Sequence, residues 1–348
     1  MLPATRAAGA LFRLLTPALL LLAAACDGDA AAPSTPTGTA PAAASPQPTA
    51  TVPGGSWRPL APLPTPRTEV TAAALDGKVY VIGGFLADGS ATGLVEVYDP
   101  ARDSWSEAAP LPEPRHHAAA VAANGKLYVI GGFERSFSDA RDTLFVYDPA
   151  ADSWTRRADM PTARGGLAAA VIVSERRRIT IYAAGGSPAG GGNTGALESY
   201  DLPTDGWTEL ALLPTVRDHL ALAAAGGKLY AVGGRLGLDF GRNLDANEEY
   251  DPETDSWRAR APLPTARSGL AAAALGDRTY VVGGEGPGGT FAENEVYDPA
   301  ADTWESGPPL PTARHGLGVA VIDGTLYVIG GGDTPGLSAS GANEALTP

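Results

Sequence analysis

The sequence predicts an all-β protein, a propeller of six blades, and three observations carry that prediction. A double glycine ends a strand-like run six times, at Gly83-Gly84, Gly131-Gly132, Gly185-Gly186, Gly233-Gly234, Gly283-Gly284 and Gly330-Gly331. About sixteen residues upstream stands a Pro-x-x-Arg, ending at Arg67, Arg115, Arg164, Arg217, Arg267 and Arg314. Tryptophans recur at Trp57, Trp105, Trp154, Trp207, Trp257 and Trp304, spaced 48, 49, 53, 50 and 47 residues apart, and the arginines repeat those spacings. A fixed period near fifty is the mark of a repeat architecture. All six Trp and all eleven Tyr fall in this register, so the aromatic surface belongs to the repeat.

One repeat, residues 115–158, shows why each unit is a blade. Arg115 to Ala123 reads as a first strand. Its alanines, like Ala72-Ala73-Ala74 and Ala271 to Ala274, have the low bulk that suits a strand crowded near a central axis. Asn124-Gly125 is a two-residue hairpin signal. Lys126 to Gly132 alternates with period two as a second strand. Thr143 to Tyr147 is a third strand, Asp148-Pro149 a tight turn with φ fixed by proline, and Ser153 to Arg157 a fourth, carrying Trp154. Four antiparallel strands per fifty residues make one propeller blade. The double glycine lets a neighbour approach without meeting a Cβ. Tyr128, Tyr147 and Trp154 offer large faces between blades, each with a polar edge for the backbone.

The last copy is incomplete. Asn343-Glu344-Ala345-Leu346 parallels Asn294-Glu295-Val296-Tyr297, and no Trp strand follows it. An orphan Trp strand, Ser56-Trp57-Arg58, opens the body. Joining it to the strand at Ala342–Leu346 as the outermost strand completes six blades and removes the sheet edges at the seam.

Over residues 56–346 the double glycines, Tyr-Asp turns and tryptophans in phase resemble the kelch repeat. The resemblance implies a six-bladed kelch propeller spanning 56–348, with binding on the face where the first strands begin and the loops between second and third strands stand. Copper oxidases resembling galactose oxidase need a Cys crosslinked to Tyr, and the only cysteine, Cys26, lies outside the body. The exported six-bladed sialic-acid epimerases share the blade count, which keeps a sugar-acid (sialate-type) isomerase or epimerase in the channel as an alternative; Glu69 and Asp218 would supply its carboxylates. No hydrolase signature is present, so the reading leans towards a binding protein rather than an enzyme.

Residues 1–26 read as an export signal: Arg6 and Arg13 lead, Leu14 to Leu22 form an apolar core, and Leu22-Ala23-Ala24-Ala25-Cys26 resembles a bacterial lipobox in which Cys26 is lipidated. Ordinary cleavage at the small residues is the alternative. Residues 27–55, almost all Ala, Pro, Ser, Thr and Gly, read as a disordered linker. The expected location is extracytoplasmic, as a cell-membrane lipoprotein or a secreted protein. The formal charge of −14 argues against nucleic acid, which needs a basic face. Membrane contact by a lipid anchor alone and a monomeric state complete the expectation.

The residues after each Arg would line the channel mouth: Thr68-Glu69, His116-His117, Gly165-Gly166, Asp218-His219, Ser268-Gly269 and His315-Gly316. All four histidines sit in these slots. The ligand-binding candidates are therefore Arg67, Glu69, Arg115, His116, His117, Arg164, Arg217, Asp218, His219, Arg267, Arg314 and His315, a ring suited to an anionic ligand because Arg presents a planar fork of donors. A variant places a divalent metal on His117, His219 and His315 with Glu69 or Asp218; the reading adopted assigns no metal and no cofactor. The alternative is packing, with each Arg paired to an Asp of a neighbouring turn. The variable loops, such as Phe133-Glu134-Arg135-Ser136-Phe137 and Leu238 to Asn243, suit a protein or glycan contact surface.

Overall fold

The computed structural model describes residues 50–51 and 55–348. The expected export signal, Cys26 and most of the expected linker lie outside the described residues. Among those described there is no helix, and six four-stranded antiparallel sheets follow one another as blades.

From the axis outward, blade 1 is Thr71–Leu75, Lys78–Ile82, Val95–Asp99 and Ser104–Ala108. Blade 2 is Ala119–Ala123, Lys126–Ile130, Leu144–Asp148 and Ser153–Arg157. Blade 3 is Ala168–Val173, Ile179–Ala184, Leu197–Asp201 and Gly206–Glu209. Blade 4 is Ala221–Ala225, Lys228–Val232, Asn247–Asp251 and Ser256–Ala259. Blade 5 is Ala271–Leu275, Arg278–Val282, Asn294–Asp298 and Thr303–Ser306. Blade 6 is Gly318–Ile322, Thr325–Ile329 and Asn343–Thr347, completed by Ser56–Pro59 from the start of the body. Trp57 lies opposite Leu346, so the closure expected from the orphan Trp strand is present. Ala50–Thr51, expected within the linker, runs parallel to Glu305–Ser306 on the outer edge of blade 5, where an edge strand offers unpaired backbone groups.

Of the strand boundaries that differ from the sequence reading, two in blade 2 do so for the same reason. The first strand of blade 2 starts at Ala119 rather than Arg115, because His117 at φ 55° leaves the extended region. The second strand ends at Ile130, because Gly131 and Gly132 take φ 60° and 89°. That turn brings the next blade close. A Cβ on Gly83 would lie 2.4 Å from the Arg115 carbonyl oxygen, and the Gly84 N–H donates to the same oxygen at 2.7 Å. Each blade repeats this bond to its successor, ending with Gly331 N–H to the Arg67 carbonyl at 2.8 Å. The ring is thereby closed.

The described residues have no single core. Six apolar clusters sit one at each blade interface, for example Tyr80, Ile82 and Val97 of blade 1 against Leu127, Val129 and Tyr147 of blade 2. The seam between blades 6 and 1 has its own, with Tyr327 and Ile329 against Val79 and Tyr98. Apolar burial is thus distributed round the ring, as expected where each unit must cover its neighbour's face.

The links between blades are held by polar clamps. Each indole N–H donates to the carbonyl of the link preceding its blade, as Trp105 to Ala61 at 2.9 Å. In blades 1 to 5 the N–H of that link residue donates to an Asp carboxylate, which also accepts from the Tyr hydroxyl of the third strand: Ala61 and Tyr98 both meet Asp103. Blade 6 lacks all three groups together. Leu346 replaces the Tyr, Gly55 stands in the place of the Asp, and the link residue is Pro308, which has no N–H to satisfy; Trp57 still donates to its carbonyl at 2.9 Å. The loss of Tyr from the last strand is therefore part of a coordinated deletion.

Candidate functional site

The six arginines predicted to ring the mouth point into the blades instead. Arg115 is 1% exposed and the other five 0%. Arg217 shows the pattern. Its Nε donates to the Gly233 carbonyl at 2.7 Å, Nη2 to the Ala231 carbonyl at 2.8 Å, and Nη1 to the Thr215 carbonyl at 2.7 Å and to Glu248 at 2.5 Å. Equivalent carboxylates on the third strand of the same blade receive Arg67, Arg164, Arg267 and Arg314, namely Glu96, Glu198, Glu295 and Glu344. Burial pulls the Arg217 guanidinium below its ordinary value, while Glu248 opposes the shift. With the fork occupied inside its own blade, an anion in the channel has nothing to bind there. The packing alternative holds in modified form: the partner is a Glu of the same blade, not an Asp of a neighbouring turn.

The residue after each Arg pairs in a short antiparallel bridge with the residue after the double glycine. These pairs are Thr68 with Phe85, His116 with Phe133, Gly165 with Ser187, Asp218 with Arg235, Ser268 with Glu285 and His315 with Gly332. His116 is consequently filler. Its ring stacks on Phe85 at 3.9 Å and on Phe133 at 5.4 Å, and its pKa is pushed down to about 3 by burial, with His219 and Arg115 adding repulsion. Phe133, expected on a contact surface, is fully buried against this stack; Phe137, 41% exposed, is the loop aromatic that reaches solvent.

One residue further on, Glu69, His117, Gly166, His219, Gly269 and Gly316 form the mouth itself. Their φ values run from 52° to 63°, and an inner ring of backbone bonds ties them: the N–H of His117 donates to Glu69, Gly166 to His117, His219 to Gly166, Gly269 to His219 and Gly316 to Gly269, with Val70 closing on Gly316 at 3.2 Å. Glycine accepts this conformation freely, and three of the six positions use it. The other three hold Glu or His there at a cost of about 1–2 kcal/mol each, and non-glycine residues held in this region cluster at functional sites.

Their side chains converge on a cavity of about 90 Å³. His117 Nε2 is 3.2 Å from one oxygen of Glu69, and His315 Nε2 is 3.5 Å from the other and 3.6 Å from Glu285. His219 Nδ1 meets Asp218 at 2.5 Å and its Nε2 accepts from Arg235 at 2.7 Å; Arg235 also bonds Glu285 at 2.5 Å. Three carboxylates, Glu69, Asp218 and Glu285, thus face a single permanent cation. Burial, and then the neighbouring His219, His116, Arg235 and His315, hold the His117 imidazole well below its usual pKa, so it is neutral. Burial raises the Asp218 carboxyl, but its bond to His219 and the Leu238 N–H outweigh this and keep it ionised. Beneath the mouth, Val70, Ala118, Leu167, Leu220, Leu270 and Leu317 narrow the channel, and a second cavity of about 180 Å³ follows among the alanines of the first strands.

Comparison with known proteins places this frame. The sequence profile of the KLHDC2/KLHL20/DRC7 kelch-repeats domain matches residues 138–331, more than half of the chain, and the kelch-motif profile matches 66–112 and 114–161. The chain belongs to the kelch-repeat family. Among curated kelch relatives, Kelch-like protein terF of Aspergillus terreus is 33% identical over 191 residues, covering 52% of this chain and 30% of that protein. Kelch-like protein 30 of Homo sapiens is 51% identical over 49 residues, 14% of this chain and 8% of that protein. The chain therefore spans less than a third of the length of either. The solved structure of YjhT shares the fold, with a TM-score of 0.69 at 20% identity over 82% of this chain and 95% of that one. Kelch propellers serve generally as protein-binding modules, and the variable loops of this kelch ring crowd one rim, as recognition loops on rigid scaffolds do.

Two residues of the mouth, Arg235 and Glu285, escape sequence reasoning, because loops after the double glycine read as surface. A signal exists. The position after each double glycine holds Phe85, Phe133, Ser187, Arg235, Glu285 and Gly332, so blades 4 and 5 place opposite charges where the other blades place none.

Proposed function

We propose that this kelch propeller is an exported, lipid-anchored binding module that takes a protein or glycan partner on the rim formed by the mouth residues and the loops between second and third strands. The observation that carries the reading is the contrast within one ring of six equivalent positions. Three are glycine, and three hold Glu69, His117 and His219 in a strained backbone region. Phe137 and Leu337, 41% and 58% exposed, stand on loops of the same rim and supply the apolar contact an interface centre needs. The cavity sizes weigh against the isomerase alternative. Small-molecule sites usually enclose about 300–1,000 Å³, whereas the mouth and channel offer about 90 and 180 Å³. A partner larger than a monosaccharide therefore rests on the rim. The lipobox-like run ending at Cys26 supports the tether.

The labelled full chain applied to glycan and peptide arrays tests the reading. Binding should fall at least about tenfold with Phe137→Ser or Leu337→Ser and persist with Arg177→Ser on the opposite face. Arrays without a hit, or hits lost only with Arg177→Ser, would overturn it. Acyl labelling that survives Cys26→Ser would remove the anchor.

A further inference from the structure

The mouth of the channel contains a histidine whose environment is incomplete. His315 is fully buried. Its Nδ1 lies 3.2 Å from the Gly332 carbonyl, so that nitrogen donates and Nε2 is the one left to meet a ligand. Among the described residues that atom has no hydrogen-bond partner, yet it faces Glu69 Oε1 at 3.5 Å and Glu285 Oε2 at 3.6 Å. Two carboxylate oxygens converging on one ring nitrogen call for a positive charge between them. Glu285 is fixed from behind by Arg235 and by the Gly336 N–H at 2.8 Å, so it cannot turn away without losing both.

We propose that Glu69, Glu285 and His315 form a binding site for one divalent transition-metal ion of the zinc class. Donor bonds of about 2.0–2.1 Å around a tetrahedral ion hold the donors about 3.3 Å from one another, and the two separations from His315, 3.5 and 3.6 Å, are close to that. The three donor atoms all lie within 4.8 Å of one another. His315 has the backing such a ligand requires, its second nitrogen held by a backbone carbonyl. Two carboxylates neutralise the ion. Glu69 also lines the mouth cavity beside His117, the side from which an exogenous fourth ligand would reach the ion. Space for the site depends on glycine: a Cβ on Gly316 would come within 2.7 Å of Glu69 Oε1. The neighbouring triplet of Glu69, His117 and His219 is less suited, since both His219 nitrogens are engaged by Asp218 and Arg235. The site stands whatever partner the rim binds.

The test uses the full chain without an affinity tag, stripped with EDTA and titrated with cobalt(II) chloride and, separately, zinc chloride. The expected result is one equivalent of either ion per chain and a visible cobalt absorption of low-coordinate form. His315→Ala and Glu285→Gln should each weaken cobalt binding by at least about 100-fold, the upper range for loss of a ligand's supporting partner, while Glu175→Gln on the opposite face leaves it unchanged. Absence of stoichiometric binding to the unmodified chain overturns the proposal, as does unaltered affinity in folded His315→Ala. If that variant does not fold, the imidazole resonances of His315 decide. Movement on adding zinc supports the site; resonances that stay those of an imidazolium, unmoved by zinc, mean that a proton occupies the gap, and the metal site falls.

Discussion

Two positions in each blade, two residues apart, obey opposite rules. The Arg that ends Pro-x-x-Arg is the same residue six times, buried and bonded within its blade. Two residues later the ring holds Glu69, His117, Gly166, His219, Gly269 and Gly316, all at positive φ and half of them strained. Uniformity marks the frame, and departure from the least strained residue marks what the frame presents. The contrast yields the largest expected effect. Arg217→Ala removes one side of a buried ion pair and strands Glu248, which should cost about 3–5 kcal/mol. Glu69→Gly relieves backbone strain and should leave the metal-free chain within about 1 kcal/mol of the parent, even though it empties the mouth of a ligand. Urea unfolding of both checks this. Equal losses would mean that the mouth is part of the frame.

Blade 2 sharpens the comparison, because there the frame itself departs from pattern. Its third strand carries Phe145 where the other blades carry Glu, and its Pro-x-x-Arg carries Glu113 where they carry Thr. The carboxylate has moved, and Arg115 follows it: Nη2 meets Glu113 at 2.5 Å and Thr143 at 3.0 Å, with the guanidinium over the Phe145 ring at 5.7 Å. Glu113 is partly exposed, so Glu113→Thr alone should cost less than a fully buried partner, about 2–3 kcal/mol. Adding Phe145→Glu should restore most of that loss. A double-mutant cycle by chemical denaturation should give a coupling of about 1–3 kcal/mol. Additive effects would show that Arg115 is held by packing alone.

The blade count, the seam at Trp57 and the role of the double glycines were legible because each rests on period and on backbone sterics, which sequence encodes directly. The four histidines were legible as a cluster because they share one register. What was not legible is which way a side chain turns. Arg217 and Asp218 are neighbours, yet one points into the blade and the other into the mouth, and only the φ of 52° at His219 with the bridge from Asp218 to Arg235 decides it. The arginine ring expected at the rim failed for that reason. Arg235 and Glu285 were passed over because burial of a loop residue depends on a bridge to a residue seventeen positions earlier, which spacing alone does not reveal.

The smallest effect concerns the clamps between blades, where blade 6 serves as an internal control. Tyr200 donates to Asp205 at 2.7 Å, and Asp205 also accepts from the Ala158 N–H at 3.0 Å. These bonds, the backbone one first, hold the Asp205 carboxyl below its ordinary value. A carboxylate with a lowered folded pKa contributes stability that is complete above its unfolded value, about 3.9, and is lost as pH falls through the folded value. Tyr200→Phe removes one of the two bonds, so it should cost about 1 kcal/mol at pH 7, at the low end because Asp205 is partly solvated. The deficit should shrink as pH drops below about 4, since protonation weakens the same bond in the parent. Blade 6 lives without this clamp because Pro308 leaves no N–H to satisfy, so Leu346→Tyr, which finds Gly55 rather than Asp, should gain nothing at any pH. Thermal unfolding between pH 7 and 3 measures both. A Tyr200→Phe deficit that does not change with pH would reduce the clamp to ring packing, and blade 6 would then differ from the others in shape rather than in charge.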